Sequence, residues 1–175
     1  MISAKLLRTL PSALFAATLL TAGCAPEVSD IPPGGRQAAP EFSLASVDGR
    51  QLTLQDLAGK VAILDFWATW CSPCHLQGEI LEELHEEYGD GKVEIVSIDS
   101  GEKAEKVRAF VEKNPKPFVV LVDADNKVSD EYQVAALPTV ILLDRQGRIA
   151  FKSVGLTEAS VLRPLIRKEL ARAAT

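Results

Sequence analysis

Apolar residues follow two different spacings along the chain, and each spacing predicts a different kind of element. Short apolar runs are typical of strands buried on both faces, and they occupy residues 60–68, 92–99, 117–123, 139–144 and 149–155. Apolar residues three or four positions apart predict helices from Cys71 to Gly89 and over residues 102–113, 126–132 and 157–171. Strands that alternate with helices indicate an α/β fold.

Two hairpins are predicted in addition to these units. Residues 41–54 alternate apolar and polar positions around Asp48-Gly49, a dipeptide that favours a tight turn. The runs at 139–144 and 149–155 flank a short polar turn and predict the second hairpin. Because hairpins add antiparallel strands, we expect a mixed central sheet flanked by helices. Thr157 is the expected N-cap of the last helix.

The first 40 residues have a different character. A basic start and an apolar run at residues 10–20, too short for a comfortable membrane span, are typical of an export signal. The run ends in Leu-Leu-Thr-Ala-Gly-Cys24, which resembles the lipobox of bacterial lipoproteins. That resemblance implies cleavage before Cys24 and a diacylglycerol on its sulfur. The alternative is an ordinary signal peptide that leaves Cys24 as a free thiol.

These features divide the chain into three parts. Residues 1–23 are predicted to be a lipoprotein signal peptide, and residues 41–171 a single folded domain. Residues 24–40 are rich in proline and glycine and have few apolar anchors, so they predict a flexible tether. We expect the protein on the periplasmic side of the cell envelope. Ala25, rather than an aspartate, follows Cys24 and favours the outer membrane.

Charge and cysteine content narrow the chemistry. Without residues 1–23 the chain has 17 basic and 24 acidic residues, and this net charge of −7 argues against nucleic-acid binding. Three cysteines are an odd number, and lipidation of Cys24 leaves Cys71 and Cys74 as one pair. Disulfides persist outside the cytoplasm, so an exported dithiol needs an electron supply to stay reduced.

The motif Cys71-Ser-Pro-Cys74-His75 fits two chemistries, a redox dithiol that follows a strand and the attachment signal of a c-type haem. A haem would need a second axial ligand besides His75. Met1 is the only methionine and leaves with the signal peptide, and His85 lies about 15 Å further along the same helix. The pattern therefore favours the dithiol.

The predicted position of the dithiol at a helix N-terminus has a chemical consequence. Unpaired backbone N–H groups and the helix dipole there stabilise a thiolate, so the pKa of Cys71 is expected to be low. Cys74 lies one turn further into the helix, where it can resolve a mixed disulfide. Pro73 suits the first helical turn.

The segments Ala-Ile-Leu-Asp-Phe-Trp-Ala-Thr-Trp-Cys-Ser-Pro-Cys74 and Ala-Leu-Pro138-Thr resemble the thioredoxin superfamily. The export signal, the N-terminal hairpin and an extra helix and strand within 102–123 resemble the TlpA/ResA-like, redoxin-type thiol–disulfide oxidoreductases. This resemblance implies a thioredoxin-like fold with a central insertion. It also implies a cis bond before Pro138 and a backbone of Leu137 that pairs with the substrate chain.

Two departures from the family pattern concern acids near the dithiol. Many relatives carry a glutamate where this chain has Gln77. Asp65, however, matches the buried aspartate of the superfamily, and its apolar neighbours predict a raised pKa and a role in taking the proton from Cys74. The lysine that partners this acid in thioredoxin is not evident, since Ile95 stands in its place.

Residues around the dithiol are candidates for substrate contact. Trp70, Ser72 and Pro73 flank the cysteines, and Leu137 joins them through the family resemblance. His75 is either a cation that lowers the pKa of a nearby thiol or an exposed residue of the first turn. The glutamates of the same helix are predicted to form a solvated face, and they are Glu79, Glu82, Glu83, Glu86 and Glu87.

The expected function is exchange between thiols and disulfides by an exported, membrane-anchored enzyme. The family resemblance suggests a monomeric reductant of disulfides in exported proteins, without cofactor or metal, recharged by a membrane thiol donor, with cytochrome c maturation as one candidate pathway. One alternative is a thiol-dependent peroxidase of the peroxiredoxin type, although the spacing from Thr69 to the cysteines does not match that family. The other is a Cu(I)-binding chaperone module, which two thiolates would suit.

Overall fold

The computed structural model describes residues 29–89 and 91–172. The predicted signal peptide, residues 1–23, and the predicted lipidation site Cys24 lie outside the described residues. The elements in chain order are strands β1 (Ser29–Asp30), β2 (Ser43–Ala45), β3 (Gln51–Thr53) and β4 (Val61–Trp67), helix α1 (Ser72–Tyr88), strand β5 (Val93–Ser100), helix α2 (Ala104–Lys113), strand β6 (Val119–Asp123), helix α3 (Lys127–Glu131), strands β7 (Thr139–Leu143) and β8 (Ile149–Val154), and helix α4 (Ala159–Leu170).

The central sheet is mixed, as the sequence predicts. Its six strands lie in the order β1-β8-β7-β4-β5-β6. Strands β4, β5 and β6 are parallel, whereas β7 pairs antiparallel with both β4 and β8. The hairpin of β2 and β3 forms a separate small sheet. The predicted insertion is therefore α2 and β6, which extend the sheet at one edge.

Strand β4 is buried along its whole length because it has a core on each side. Successive side chains of a strand point to opposite faces. Ile63 packs in the cluster that holds Leu81 of α1 and Leu162 of α4, whereas Leu64 packs in the cluster on the other face. Asp65 has the same parity as Ile63, so its carboxyl group points toward the face that the α1 helix covers.

The N-terminal segment corrects the predicted domain boundary. From Ser29 onward, residues assigned to the flexible tether lie against the domain, because β1 pairs with β8. The Arg36 side chain is fully buried and binds Glu169 through two bonds of 2.7 Å and Asp144 at 3.1 Å. Proline and glycine content predicted a coil and gave no sign of this ion cluster. Residues 29–40 thus belong to the folded domain, and residues 24–28 lie outside the described residues.

Helix α4 begins later than expected. Its N-cap is Glu158 rather than Thr157, whose backbone binds a side chain of α1 instead. Pro164 lies within α4 without ending the helix. Among the helices in residues 29–89 and 91–172, none combines the length and apolar character that a membrane span requires.

Candidate active site

The two cysteines lie where the central strand β4 passes into helix α1. The N–H of Cys71 donates to the carbonyl of Ala68 at 3.1 Å, and this turn places Cys71 at the N-cap of α1. Pro73 occupies the first helical turn, where its missing N–H leaves no helical bond unmade. Cys71 and Cys74 form a disulfide with Cα atoms 5.3 Å apart, so the two cysteines of the predicted pair are close enough to be joined.

In this oxidised form both sulfurs are covered, with 4% of Cys71 and 2% of Cys74 exposed. The surface around them is open. Trp70 is 68% exposed, and Ser72 and Pro73 are exposed on the first turn of α1. The predicted contact residues therefore surround the dithiol at the surface.

The cis bond expected before Pro138 is confirmed. Pro138 is buried, and the preceding Leu137 packs against the apolar cluster that contains both cysteines. Leu137 and Trp70 also line one groove of about 770 Å³. The structure thus brings together two contact residues that are 67 positions apart in the sequence.

Asp65 is buried, with 2% of its surface exposed, and it is only half satisfied. Its Oδ2 accepts a 3.1 Å bond from the Ser97 hydroxyl, while Oδ1 has no partner among residues 29–89 and 91–172. Burial raises the pKa of Asp65 to about 7, and the Ser97 hydroxyl and the charge of Lys116 oppose this rise. A carboxyl group with this pKa can accept and release a proton near neutral pH.

Asp65 and Cys74 line the same cleft, which has a volume of about 440 Å³. The cleft lies between α1 and the segment 114–118 that follows α2. A cavity of this size with polar walls can hold several water molecules. Both side chains therefore border a space that is large enough to hold water.

The sequence interpretation missed Lys116, which lines this cleft on the side opposite β4. Its Nζ atom lies 2.6 Å from Oε1 of Glu82, and 16% of the lysine side chain is exposed. Glu82, which was predicted to lie on a solvated helix face, is half-buried, and its carboxylate pairs with this cation at the cleft. The signal that could have found Lys116 is its position between Pro115 and Pro117, which restrict the backbone on both sides.

Gln77, the residue that replaces the expected acid, has a structural contact. Its side chain is fully buried and bonds Thr157 twice, accepting from the backbone N–H at 2.8 Å and donating to the carbonyl at 3.2 Å. An amide both donates and accepts in this way, whereas an ionised glutamate only accepts. Gln77 thus joins α1 to the start of α4.

A second pair of acids, also missed, lies behind the loop that carries Trp70 and Cys71. Glu102 accepts bonds from the backbone N–H of Thr69 at 2.6 Å and from its hydroxyl at 2.9 Å. Burial, together with the adjacent Glu102 carboxylate, raises the pKa of Asp99 to about 8. The signal was Asp99 at the carboxyl end of β5, level with Trp67 at the end of β4, since functional groups gather at that edge of a parallel sheet.

His75 supports the same loop from the other side. Its Nε2 atom lies 3.1 Å from the carbonyl oxygen of Thr69, and its ring stacks on Phe110 with centroids 5.3 Å apart. A carbonyl only accepts, so Nε2 carries the proton in this bond. His75 is exposed on the first turn, as one of the two expected roles has it, and its contact with Thr69 also braces the loop.

Comparisons with known proteins agree with this geometry. The model of the AhpC/TSA family matches residues 36–152. The thiol–disulfide oxidoreductase ResA of Bacillus cereus is 36% identical over 117 residues, which cover 67% of this chain and 68% of that protein. The thioredoxin-like protein YneN of Bacillus subtilis is 41% identical over 122 residues, which cover 68% of this chain and 71% of that protein.

Solved structures show the same architecture. The thiol:disulfide interchange protein DsbE of Chlorobium tepidum aligns with a TM-score of 0.73 and 29% identity, covering 78% of this chain and 97% of that chain. A surface-exposed lipoprotein thioredoxin of Streptococcus pneumoniae aligns with a TM-score of 0.66 and 29% identity, covering 74% of this chain and 99% of that chain. The mixed sheet with its flanking helices is thus a thioredoxin-like fold.

Proposed function

The chain belongs to the AhpC/TSA family and is a thiol–disulfide oxidoreductase with Cys71 and Cys74 as its redox pair, and we propose that it is an exported, lipid-anchored reductant of disulfides in extracytoplasmic proteins. The lipid is attached through Cys24. The protein faces the periplasm, from the outer membrane in preference to the inner one. A membrane thiol donor returns it to the dithiol form, and cytochrome c maturation is a pathway that would use such a reductant.

The reaction has two exchange steps. The Cys71 thiolate attacks one sulfur of the substrate disulfide, that disulfide breaks, and the released substrate thiolate takes a proton from solvent. Cys74 then gives its proton to Asp65 through water in the cleft and attacks the Cys71 sulfur. The mixed disulfide breaks and the second substrate thiolate leaves. Two electrons have passed to the substrate, and Cys71 and Cys74 are joined as a disulfide.

The observation that carries the exchange mechanism is the half-satisfied carboxyl of Asp65 in the cleft that Cys74 lines, while the reducing direction rests on the family resemblance. The second exchange step of a reductase requires a base at the covered thiol, because solvent cannot reach it freely. Substrate contact is assigned to the exposed surface on the other side of the dithiol. On that surface, Trp70, Ser72 and Pro73 contact the substrate chain, and the backbone of Leu137 pairs with the backbone of the substrate.

The proposal is tested by equilibrating the purified protein with glutathione buffers and measuring its reduction potential. A reductant is expected at or below about −200 mV, whereas a value near about −120 mV would identify an oxidant and overturn the direction. The variant Cys74→Ser should trap exported partners as mixed disulfides through Cys71, and Cys71→Ser is the matched control that should trap none.

The same variants separate the alternative activities. Peroxide turnover that survives Cys74→Ser would replace the proposal with a peroxidase of the peroxiredoxin type. A Cu(I)-binding module would lose its function in the presence of a copper chelator, whereas disulfide reduction should be unchanged. Mass spectrometry of membrane fractions tests the anchor, since Cys24→Ala should abolish a diacylglycerol adduct and release the protein from membranes.

A further inference from the structure

We propose that Lys116, held in place by Glu82, is the positioning residue that keeps Asp65 in the form that accepts the proton of Cys74. This inference rests on the proposed role of Asp65 as a base. Strand β5 supplies no cation to Asp65, because the apolar Ile95 stands in the place of the lysine that partners this acid in thioredoxin and is buried in the core. The proposal assigns that cation to Lys116. The cation comes instead from the segment between α2 and β6, which belongs to the inserted unit.

The position of the Lys116 ammonium is set by one stripe of α1. Cys74, Gly78 and Glu82 are spaced four residues apart, so they lie on one face of the helix, one turn above another. Lys116 crosses this stripe at Gly78, because a Cβ atom added there would lie 3.0 Å from Nζ. The ammonium therefore lies one helical turn from Cys74 and is fixed by Glu82 on the far side.

The backbone around Lys116 favours a fixed cation. Pro115 and Pro117 restrict the dihedral angles on both sides of the lysine, and the side chain of Asn114 donates to the carbonyl of Phe110 at 2.9 Å. A cation that is held before the reaction begins costs less conformational entropy than one that must be ordered. The segment thus presents Lys116 to the cleft in a preset orientation.

A cation in this place counters the main electrostatic problem of the base. Burial favours the neutral form of Asp65, and a neutral carboxylic acid cannot accept the proton of Cys74. Lys116 and Asp65 line the same cleft, and the positive charge favours the ionised carboxylate. The effective dielectric constant near a buried group is lower than that of bulk water, so the effect extends beyond direct contact.

Glu82 has two opposing effects on this arrangement. It fixes the ammonium against α1, and its own negative charge offsets part of the positive potential at Asp65. The other titratable groups that line the cleft are His75 and Glu79 of α1, while β5 contributes the uncharged Ser97. Pro115 and Pro117 still restrict the backbone of Lys116 when Glu82 is neutralised, so the loss of the negative charge should outweigh the loss of the contact. Removing the lysine charge and removing the glutamate charge should then shift the titration of Asp65 in opposite directions.

The experiment follows the two exchange steps separately over a range of pH. A nitrobenzoate disulfide reagent releases one coloured thiolate when Cys71 attacks and a second when Cys74 resolves the mixed disulfide. In the chain from Ser29 onward, Lys116→Met should move the pH midpoint of the second release upward by about one unit. Glu82→Gln should move it downward, and Lys116→Arg should stay at the wild-type value.

Matched controls remove charges of the same sign nearby. Lys113→Met and Glu86→Gln change exposed residues of α2 and α1 that do not line the cleft, and they should leave the midpoint unchanged. Shifts of Lys116→Met and Glu82→Gln in the same direction, or shifts as large in the controls, would overturn the inference. If Lys116→Met does not fold, two variants still test the inference. Glu82→Gln should lower the pH midpoint of the second release, and Lys116→Arg should leave it unchanged.

The variant Asp65→Asn separates this inference from the proposed function. If Asp65 is the base, the second release slows in Asp65→Asn, and adding Lys116→Met to that variant produces no further shift. A further shift in the double variant would show that Lys116 acts on Cys74 directly, which overturns the inference and leaves the base intact. An unchanged second release in Asp65→Asn itself would overturn the proposed base.

Discussion

Two sets of buried carboxyl groups lie at opposite ends of the central strands, and they differ in their partners rather than in their depth. At the end away from the dithiol, Asp144 and Glu169 are each 3% exposed and share the buried guanidinium of Arg36. At the dithiol end, Asp65 is 2% exposed and has one weak bond from Ser97.

The electrostatic result is opposite at the two ends. Burial by itself raises the pKa of Asp144, but bonds from Arg148 and Arg36 outweigh it, and the pKa lies below its usual value. At Asp65 burial prevails and raises the pKa to about 7. A buried acid with a full set of donors holds the fold together, whereas one with a free oxygen stays able to exchange a proton.

The largest expected change in stability comes from removing the cation of the cluster that Arg36 forms with Asp144 and Glu169. Arg36→Met leaves the buried Glu169 without its two short bonds and takes one of several donors from Asp144, so the free energy of unfolding should fall by about 3–5 kcal/mol. Denaturant titration measures this loss. Arg50→Met, which breaks an exposed ion pair with Asp48, is the control and should cost less than about 1 kcal/mol.

The double variant Arg36→Met/Glu169→Met tests whether the lost stability comes from an unpaired buried charge. If the loss comes from a stranded buried charge, the double variant should recover part of the stability. A double variant less stable than Arg36→Met alone would contradict this explanation.

At Asp65, removing the charge should raise the stability of the fold and not lower it. Between about pH 4 and pH 7, folded Asp65 keeps a proton that the unfolded chain has lost, so the stability of the wild type falls as pH rises through this window. Asp65→Asn lacks this penalty and should be more stable by about 4 kcal/mol above pH 7, and equal to the wild type below about pH 3. Unfolding titrations at several pH values measure the difference.

The gain in stability should be accompanied by a loss of activity. Removing a general base typically slows its step by about 10²-fold or more. The second thiolate release of Asp65→Asn should slow accordingly, while the first release by Cys71 keeps its rate. A variant that is neither stabilised nor slowed would remove the distinction between the two ends of the sheet.

A smaller effect is expected at Gln77, because both ends of its buried amide are hydrogen-bonded but the group carries no charge. Gln77→Glu keeps the acceptor for the N–H of Thr157 and loses the donor to its carbonyl, so we expect a loss of about 1–3 kcal/mol at neutral pH. The loss should shrink in acid, where the new carboxyl is protonated and can donate. Gln37→Glu, at an exposed amide, is the control and should change the stability little.

The smallest effect is expected at the loop that carries the nucleophile. Thr69→Val removes one hydroxyl donor from Glu102 and keeps the backbone bond, so the protein should lose about 1 kcal/mol. The exposed indole of Trp70 lies on this loop, and its fluorescence anisotropy should fall because the loop becomes more mobile. An unchanged anisotropy would show that Glu102 supports the fold there without ordering the loop.

Most of the fold could be predicted because its signals are local. The apolar run of β4, the helical spacing of α1 and the turn at Asp48-Gly49 each lie within a short window. The boundary at residue 41 was wrong because the Arg36 cluster joins residues separated by 108 and 133 positions. A composition rich in proline and glycine does not reveal such a long-range ion pair.

The candidate site could be predicted in part for the same reason. The pair Cys71 and Cys74 and the cis bond at Pro138 follow from short motifs, and the raised pKa of Asp65 follows from its apolar neighbours. Lys116 and Glu102 could not be identified in this way. Their importance comes from the cleft and the loop that they meet only after the chain folds.

With a lipid on Cys24, as proposed, the burial of Arg36 would also limit how far the enzyme can work from the membrane. A tether of residues 24–40 would have an end-to-end distance of about 23 Å on average and nearly 60 Å when extended. With Ser29 already joined to the sheet, a lipid on Cys24 leaves five residues of reach, at most about 18 Å. An enzyme with this reach would meet membrane-embedded donors at high effective concentration, and its substrates would have to come to the bilayer surface.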